Sequence, residues 1–197
     1  MKETRHRVYV ASSWRNPDQP AVVEALRRDG HDVYDFKVDA GSFGWREIGE
    51  PSAWTPEHFS TNVLDHPLAA RGFGADMNAL VVCSACVLVL PCGRSAHLEL
   101  GYAVGMRKLT IVYMPAFDEP ELMYRMCDYV EPTLDRVRTQ LSRSRTAPRW
   151  QADLLEGTSP RFDGRCREYA HRDCVVCGNC WRHGSCTCGP VAPRLAA

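Results

Sequence analysis

The sequence predicts an α/β fold, a doubly wound parallel sheet of about five strands with a small cysteine-rich zinc-binding tail. Three observations lead there. Short β-prone runs alternate with helical patterns through residues 1–142. The most apolar run, residues 86–90, has the unbroken apolar character of a strand covered on both faces. Six of the ten cysteines then crowd between Cys166 and Cys188.

Residues 7–11 form the first β-prone run, ended by the turn formers Ser12, Ser13, Asn16 and Pro17. Pro17 opens a helical pattern with Val22, Val23 and Leu26 on one face, and Gly30 stands where a helix C-terminus favours glycine. Residues 31–36 supply a second strand, parallel to the first through a right-handed crossover. Residues 37–55, with three glycines, Pro51 and two tryptophans, read as a long loop of the kind that carries function. A helical region runs from about Thr55 to Ser84 with a break at His66-Pro67. The central strand at 86–90 follows, then a tight turn at Pro91-Cys92-Gly93 and a helix over 94–108 with Ala96, Leu100, Ala103 and Val104 towards the sheet. A fourth strand at 109–113, a short helix at 119–126, a fifth strand at 129–130 and a last helix at 133–141 complete a flavodoxin/Rossmann-like pattern. Residues 143–165 read as a linker and 166–197 as the tail.

Composition narrows the function classes. Apolar residues make up 45% and charged ones 24%, which fits a protein able to bury a core. The net charge is zero, so no global field favours nucleic acid or an anionic membrane. No apolar run has the roughly 18–20 residues that a membrane span needs. The polar N-terminus running straight into a strand gives the expectation of a soluble cytoplasmic protein without a signal peptide.

In such sheets ligands bind beyond the carboxyl ends of the strands, where the strand order reverses. The loops after the first and third strands meet there. The second brings Gly93, Arg94 and Ser95 to a helix N-terminus, whose free N–H groups and dipole favour an anion such as phosphate. Glu99 lies on the same helix face as Ser95, about 6 Å along the axis at ~1.5 Å per residue, which places it at the rim of the cleft. A carboxylate one turn from an anion site suits a sugar phosphate, with the anomeric carbon facing Glu99 as nucleophile. Asp76 is the best partner carboxylate. Taken alone, the spacing also fits a plainer reading, Ser95 as a helix cap and Glu99 as solvated surface. His97 is adjacent to the site but points to another side of the helix, which favours a packing or supporting role at least as much as a catalytic one. Trp14, Trp45 and Trp54 either stack a base or cover the sheet edge, and Cys83 and Cys86 read as small core residues.

Leu98-Glu-Leu-Gly-Tyr-Ala103, set after a strand and a Pro-x-Gly-x-Ser turn and before Gly105-Met-Arg-Lys108 and another strand, resembles the nucleoside 2-deoxyribosyltransferase family. The related 2'-deoxynucleoside 5'-monophosphate N-hydrolases carry a similar motif. The resemblance spans about residues 6–142. It implies Glu99 as nucleophile, Asp76 assisting at the base, and Tyr9, Ser12 and Arg15 lining the sugar site. It also implies a homodimer or larger oligomer whose neighbouring subunit closes the site. The acidic residue that transferases of this family place after the third strand is replaced here by Pro91-Cys92-Gly93, and Ser95 stands where the phosphate-cleaving relatives have a serine. The expectation is cleavage of the N-glycosidic bond of a nucleoside or nucleoside 5'-monophosphate by a hydrolase or deoxyribosyltransferase, these departures favouring hydrolysis over base exchange, with no cofactor in the chemistry. Two rivals stay open: an NAD glycohydrolase-like enzyme, and a non-catalytic nucleotide-binding module.

The tail reads as a structural metal site. Cys174 and Cys177 make a CxxC knuckle, and Cys186 and Cys188 supply a second thiolate pair for tetrahedral Zn²⁺. Cys166, Cys180, His171 and His183 are alternative ligands, and a two-metal cluster stays open. Residues 141–197 carry nine basic and five acidic groups. Four thiolates on one Zn²⁺ lower that net charge to about +2, which argues for docking a partner or second subunit rather than nucleic acid.

Overall fold

A computed structural model describes residues 5–39, 43–117 and 119–143. Five strands form one sheet: β1 (Arg7–Ala11), β2 (Asp32–Tyr34), β3 (Ala85–Val89), β4 (Leu109–Tyr113) and β5 (Tyr129–Glu131). Their order is β2-β1-β3-β4-β5, and every neighbouring pair is parallel. The sequence therefore places the strands correctly, with differences of one or two residues at their ends.

Parallel strands need crossovers, and these distribute the helices over both faces. α1 (Gln19–Arg28) and α5 (Leu134–Ser142) cover one face, where Val22, Leu26, Val137 and Leu141 pack on Val8, Val10, Val87 and Ile111. α3 (Pro67–Val82) and α4 (Arg94–Gly105) cover the other, where Leu80, Leu100 and Ala103 pack on Tyr9, Cys86, Leu88 and Val112. All five residues of β3 are buried, as its apolar run requires. Between β1 and β2 and β3 the chain leaves β1 in opposite directions, so β1 and β3 flank the switch point.

The expected helical region before β3 consists of a single turn α2 (Pro56–His58), a π-helical turn at Phe59–Val63, and α3. The break falls at His66-Pro67, as the proline dictates: His66 is extended, and its Nδ1 accepts from Leu68 N–H at 3.2 Å. The expected short helix after β4 is a 3₁₀ segment, Leu122–Met126. Residues 43–59 fold on themselves. Trp45 packs against Phe43, Trp54 and Phe59 at ring-centroid distances of 5.0, 6.0 and 5.7 Å. Phe43 fixes this aromatic cluster to α3, because a Cβ on Gly72 would lie only 3.2 Å from it.

No described helix is long and apolar enough to cross a membrane. Cys174, Cys177, Cys186, Cys188 and the other proposed tail ligands lie outside the described residues, as does all but the first residue of the expected linker.

Candidate active site

Glu99 is on α4 one position before Leu100, whose side chain is pressed on the sheet. That placement turns the carboxyl across the sheet surface towards β1 and α3, half-buried rather than at an open rim. Three side chains meet it there. Tyr9 comes from the middle of β1 and is wholly buried. Asp76 comes from α3. Tyr34 comes from β2, directly opposite Tyr9 in the strand register. The Tyr34 ring stacks on Tyr9 at 5.4 Å with a 20° interplanar angle, and its hydroxyl donates to Asp76 Oδ1 at 2.9 Å.

Electrostatics follow from this enclosure. Burial, then the charge of Asp76, push the Glu99 carboxyl up to about 7, with the Tyr9 hydroxyl pulling partly the other way. Burial also raises Asp76, and the Tyr34 hydrogen bond offsets part of that rise. The Tyr9 and Tyr34 phenols are raised by burial and by these same carboxylates, so both keep their protons. The Tyr9 oxygen is buried with no partner in hydrogen-bonding geometry, although it acts on the Glu99 charge. Glu99 takes part in no ion pair among the described residues. Two enclosed carboxyls, Glu99 raised to about 7 and Asp76 raised by burial, flanked by two phenol O–H groups, can supply a nucleophile and an acid when they hold one proton between them.

Above this pair, Asn16 locks together the two loops of the switch point. It is 3% exposed. Its Nδ2 donates to Ser12 Oγ (3.1 Å), Val89 O (3.1 Å) and Pro91 O (3.0 Å), and its Oδ1 accepts from Asp18 N–H at 2.8 Å. Ser12 Oγ itself donates to Val89 O at 2.8 Å, so this hydroxyl fastens β1 to β3. Arg15 is exposed on the same loop. Gly93 is the N-cap of α4, with open space where a Cβ would stand and no side-chain cap. Arg94 and Ser95 are exposed on the first turn of α4.

The structure brings Tyr9, Asp76 and Glu99 together and sets Gly93, Arg94 and Ser95 at the start of α4, while the Ser12 hydroxyl is taken up between β1 and β3. It adds Asn16 and Tyr34, which sequence reasoning missed. An asparagine before proline in the turn after β1 hinted at the first; only strand register places the second. Trp45 and Trp54 pack on each other, and Trp14 packs edge-on against Phe36 at 5.2 Å. Cys83 and Cys86 are buried and free, as expected of core residues. No group of three or more His, Cys, Asp or Glu suited to hold a metal occurs among the described residues.

On the β4 side of α4 lies a cleft of about 500 Å³, lined by Cys92, His97, Tyr124 and the ends of β3 and β4. His97 Nδ1 sits 3.0 Å from Gly93 O, and its Nε2 sits 2.9 Å from the Tyr124 hydroxyl. A carbonyl only accepts, so Nδ1 carries the hydrogen and Nε2 accepts from Tyr124. The supporting role expected of His97 is therefore to tie the β3–α4 turn to the 122–126 segment.

The fold and site together define a flavodoxin-like α/β domain with paired carboxyls on one face of its sheet. That fold is shared with the 2-deoxyribosyltransferase of the psychrotolerant bacterium Bacillus psychrosaccharolyticus, at a TM-score of 0.50 and 16% identity, over 71% of this chain and 98% of that one. No family model and no curated protein matches the sequence.

Proposed function

We propose that the protein cleaves the N-glycosidic bond of a nucleoside or nucleoside 5'-monophosphate, with Glu99 as nucleophile and Asp76 as acid and base. The observation that carries this reading is the Glu99 carboxyl, half-buried, in no ion pair among the described residues, and raised to about 7 beside Asp76. The shared fold with a 2-deoxyribosyltransferase supports it. In the reactive form the coupled pair holds one proton, which the bound base draws onto Asp76, leaving Glu99 ionised. A Glu99 oxygen bonds to C1' while the C1'–N bond breaks, its electron pair leaving on the base nitrogen, which takes the Asp76 proton. The oxocarbenium character of that transition state is what the carboxylate stabilises. Water, deprotonated by Asp76, then attacks C1' and returns the Glu99 carboxylate. The Gly93–Ser95 turn receives the 5'-phosphate through its backbone N–H groups and Arg94.

Chromatography of incubations with nucleosides and their 5'-monophosphates tests the proposal by free base released. Glu99→Gln keeps the shape and removes the nucleophile, so base release falls by at least ~10³-fold while the far-UV circular dichroism is unchanged. Unaltered turnover in that variant overturns the assignment.

A further inference from the structure

The cleft on the β4 side of α4 is not used by the chemistry above, yet it adjoins it. Glu99 and His97 are two residues apart on one helix and so face opposite sides: Glu99 towards β1 and α3, His97 towards Tyr124. With the leaving base beside Asp76 and C1' at Glu99, the 5' end of the sugar points to the first turn of α4. Whatever is joined beyond a 5'-phosphoryl group crosses that turn and enters the cleft. Cys92 borders both regions: it lines the cleft, and its thiol feels the Glu99 charge.

Size and lining define what fits. About 500 Å³ is within the ~300–1,000 Å³ of small-molecule sites and is ample for a nucleoside. Asp18, Glu119 and Glu121 line it, with no Arg or Lys among its described lining residues, so a terminal phosphate is repelled. Carboxylates accept hydrogen bonds from the vicinal hydroxyls of ribose and from exocyclic amino groups. The His97 and Tyr124 rings, 5.9 Å apart and within 5° of parallel, give a fixed aromatic wall, and Met114 also lines the cleft. We propose that this cleft holds the second nucleoside of a dinucleotide-type substrate, two nucleosides joined by a 5'-diphosphate, of which the first is cut at Glu99. The path of the substrate rests on the Glu99 reading; occupation of the cleft does not.

The experiment uses the full chain, NAD and AMP as probes, and Ala116→Trp, which fills the cleft from an exposed position away from Glu99. Binding is read as the rate of Cys92 alkylation by iodoacetamide, followed at the peptide level by mass spectrometry. NAD slows alkylation at least fivefold more than AMP does in the unaltered protein, and Ala116→Trp reduces the NAD effect to that of AMP. NAD protection that Ala116→Trp leaves unchanged, or no protection by NAD beyond that of AMP, overturns the proposal. Turnover is read separately: kcat/KM for base release from NAD exceeds that from a nucleoside 5'-monophosphate at least tenfold, and the excess disappears in Ala116→Trp. Protection by NAD without release of any base from any substrate leaves the cleft occupied and sinks the Glu99 reading instead.

Discussion

Glu99 carries two opposed demands, and both can be measured. As nucleophile it must be ionised, so kcat/KM for base release falls as pH drops through about 7, the value to which burial and Asp76 push it. Tyr9 favours the ionised form, and Tyr9→Phe removes that help. The acidic limb of the Tyr9→Phe profile therefore moves to higher pH by about half a unit to one unit; a limb that stays in place means that the phenol does not act on Glu99. The same shift has a cost in stability. A folded-state value of about 7 against 4.5 for a free carboxyl means that the folded protein binds this proton more tightly than the unfolded chain. The stabilisation is fully present below pH 4.5 and is lost as pH rises through 7, an amount of about 3 kcal/mol at ~1.4 kcal/mol per unit. Glu99→Gln escapes this loss. Urea denaturation at pH 8.5 places the variant above the unaltered protein by up to ~3 kcal/mol, with the gap closing by pH 4.5. A variant less stable at pH 8.5 contradicts the burial of this charge.

At the scale of elements, the inner strands are legible because a strand covered on both faces is apolar throughout, a pattern that survives without partners. Ala85–Val89 and Leu109–Tyr113 are such runs. Helix starts are legible at Pro56 and Pro67, whereas α1 begins at Gln19, two residues after the expected Pro17. The stretch before α3 was less so: its helical pattern is split into α2, a π turn and α3, since Phe59 is drawn into the aromatic cluster of Trp45 and Trp54. The candidate site divides in the same way. Glu99 and Asp76 could be read from helical spacing and resemblance, because each is set by its own helix. Tyr34 and Asn16 act through contacts 42 and 73 residues away in sequence, to Asp76 and Val89. Such contacts exist only once the sheet order is known. The depth of Glu99 was misjudged for the same reason, since Tyr9 and Tyr34 build the wall that encloses it.

For the whole molecule, charge and cysteine placement divide the sequence into two unlike parts. Residues 1–140 carry 15 basic and 19 acidic groups, whereas the remainder is basic and holds six of the ten cysteines. Every side chain given a role in base release lies before residue 143. The cysteine spacing predicts that the full chain binds zinc, with Cys174, Cys177, Cys186 and Cys188 as the expected ligand set. Elemental analysis of the purified chain finds about one zinc per molecule, and Cys174→Ser with Cys177→Ser brings it below ~0.2, because two thiolates cannot close a tetrahedral site. In that double variant the expected base release per chain is unchanged, because Glu99, Asp76 and Tyr9 all precede the tail in the sequence. Zinc content unaffected by the double substitution rejects this ligand set, and a proportional loss of turnover shows that the tail reaches the chemistry after all.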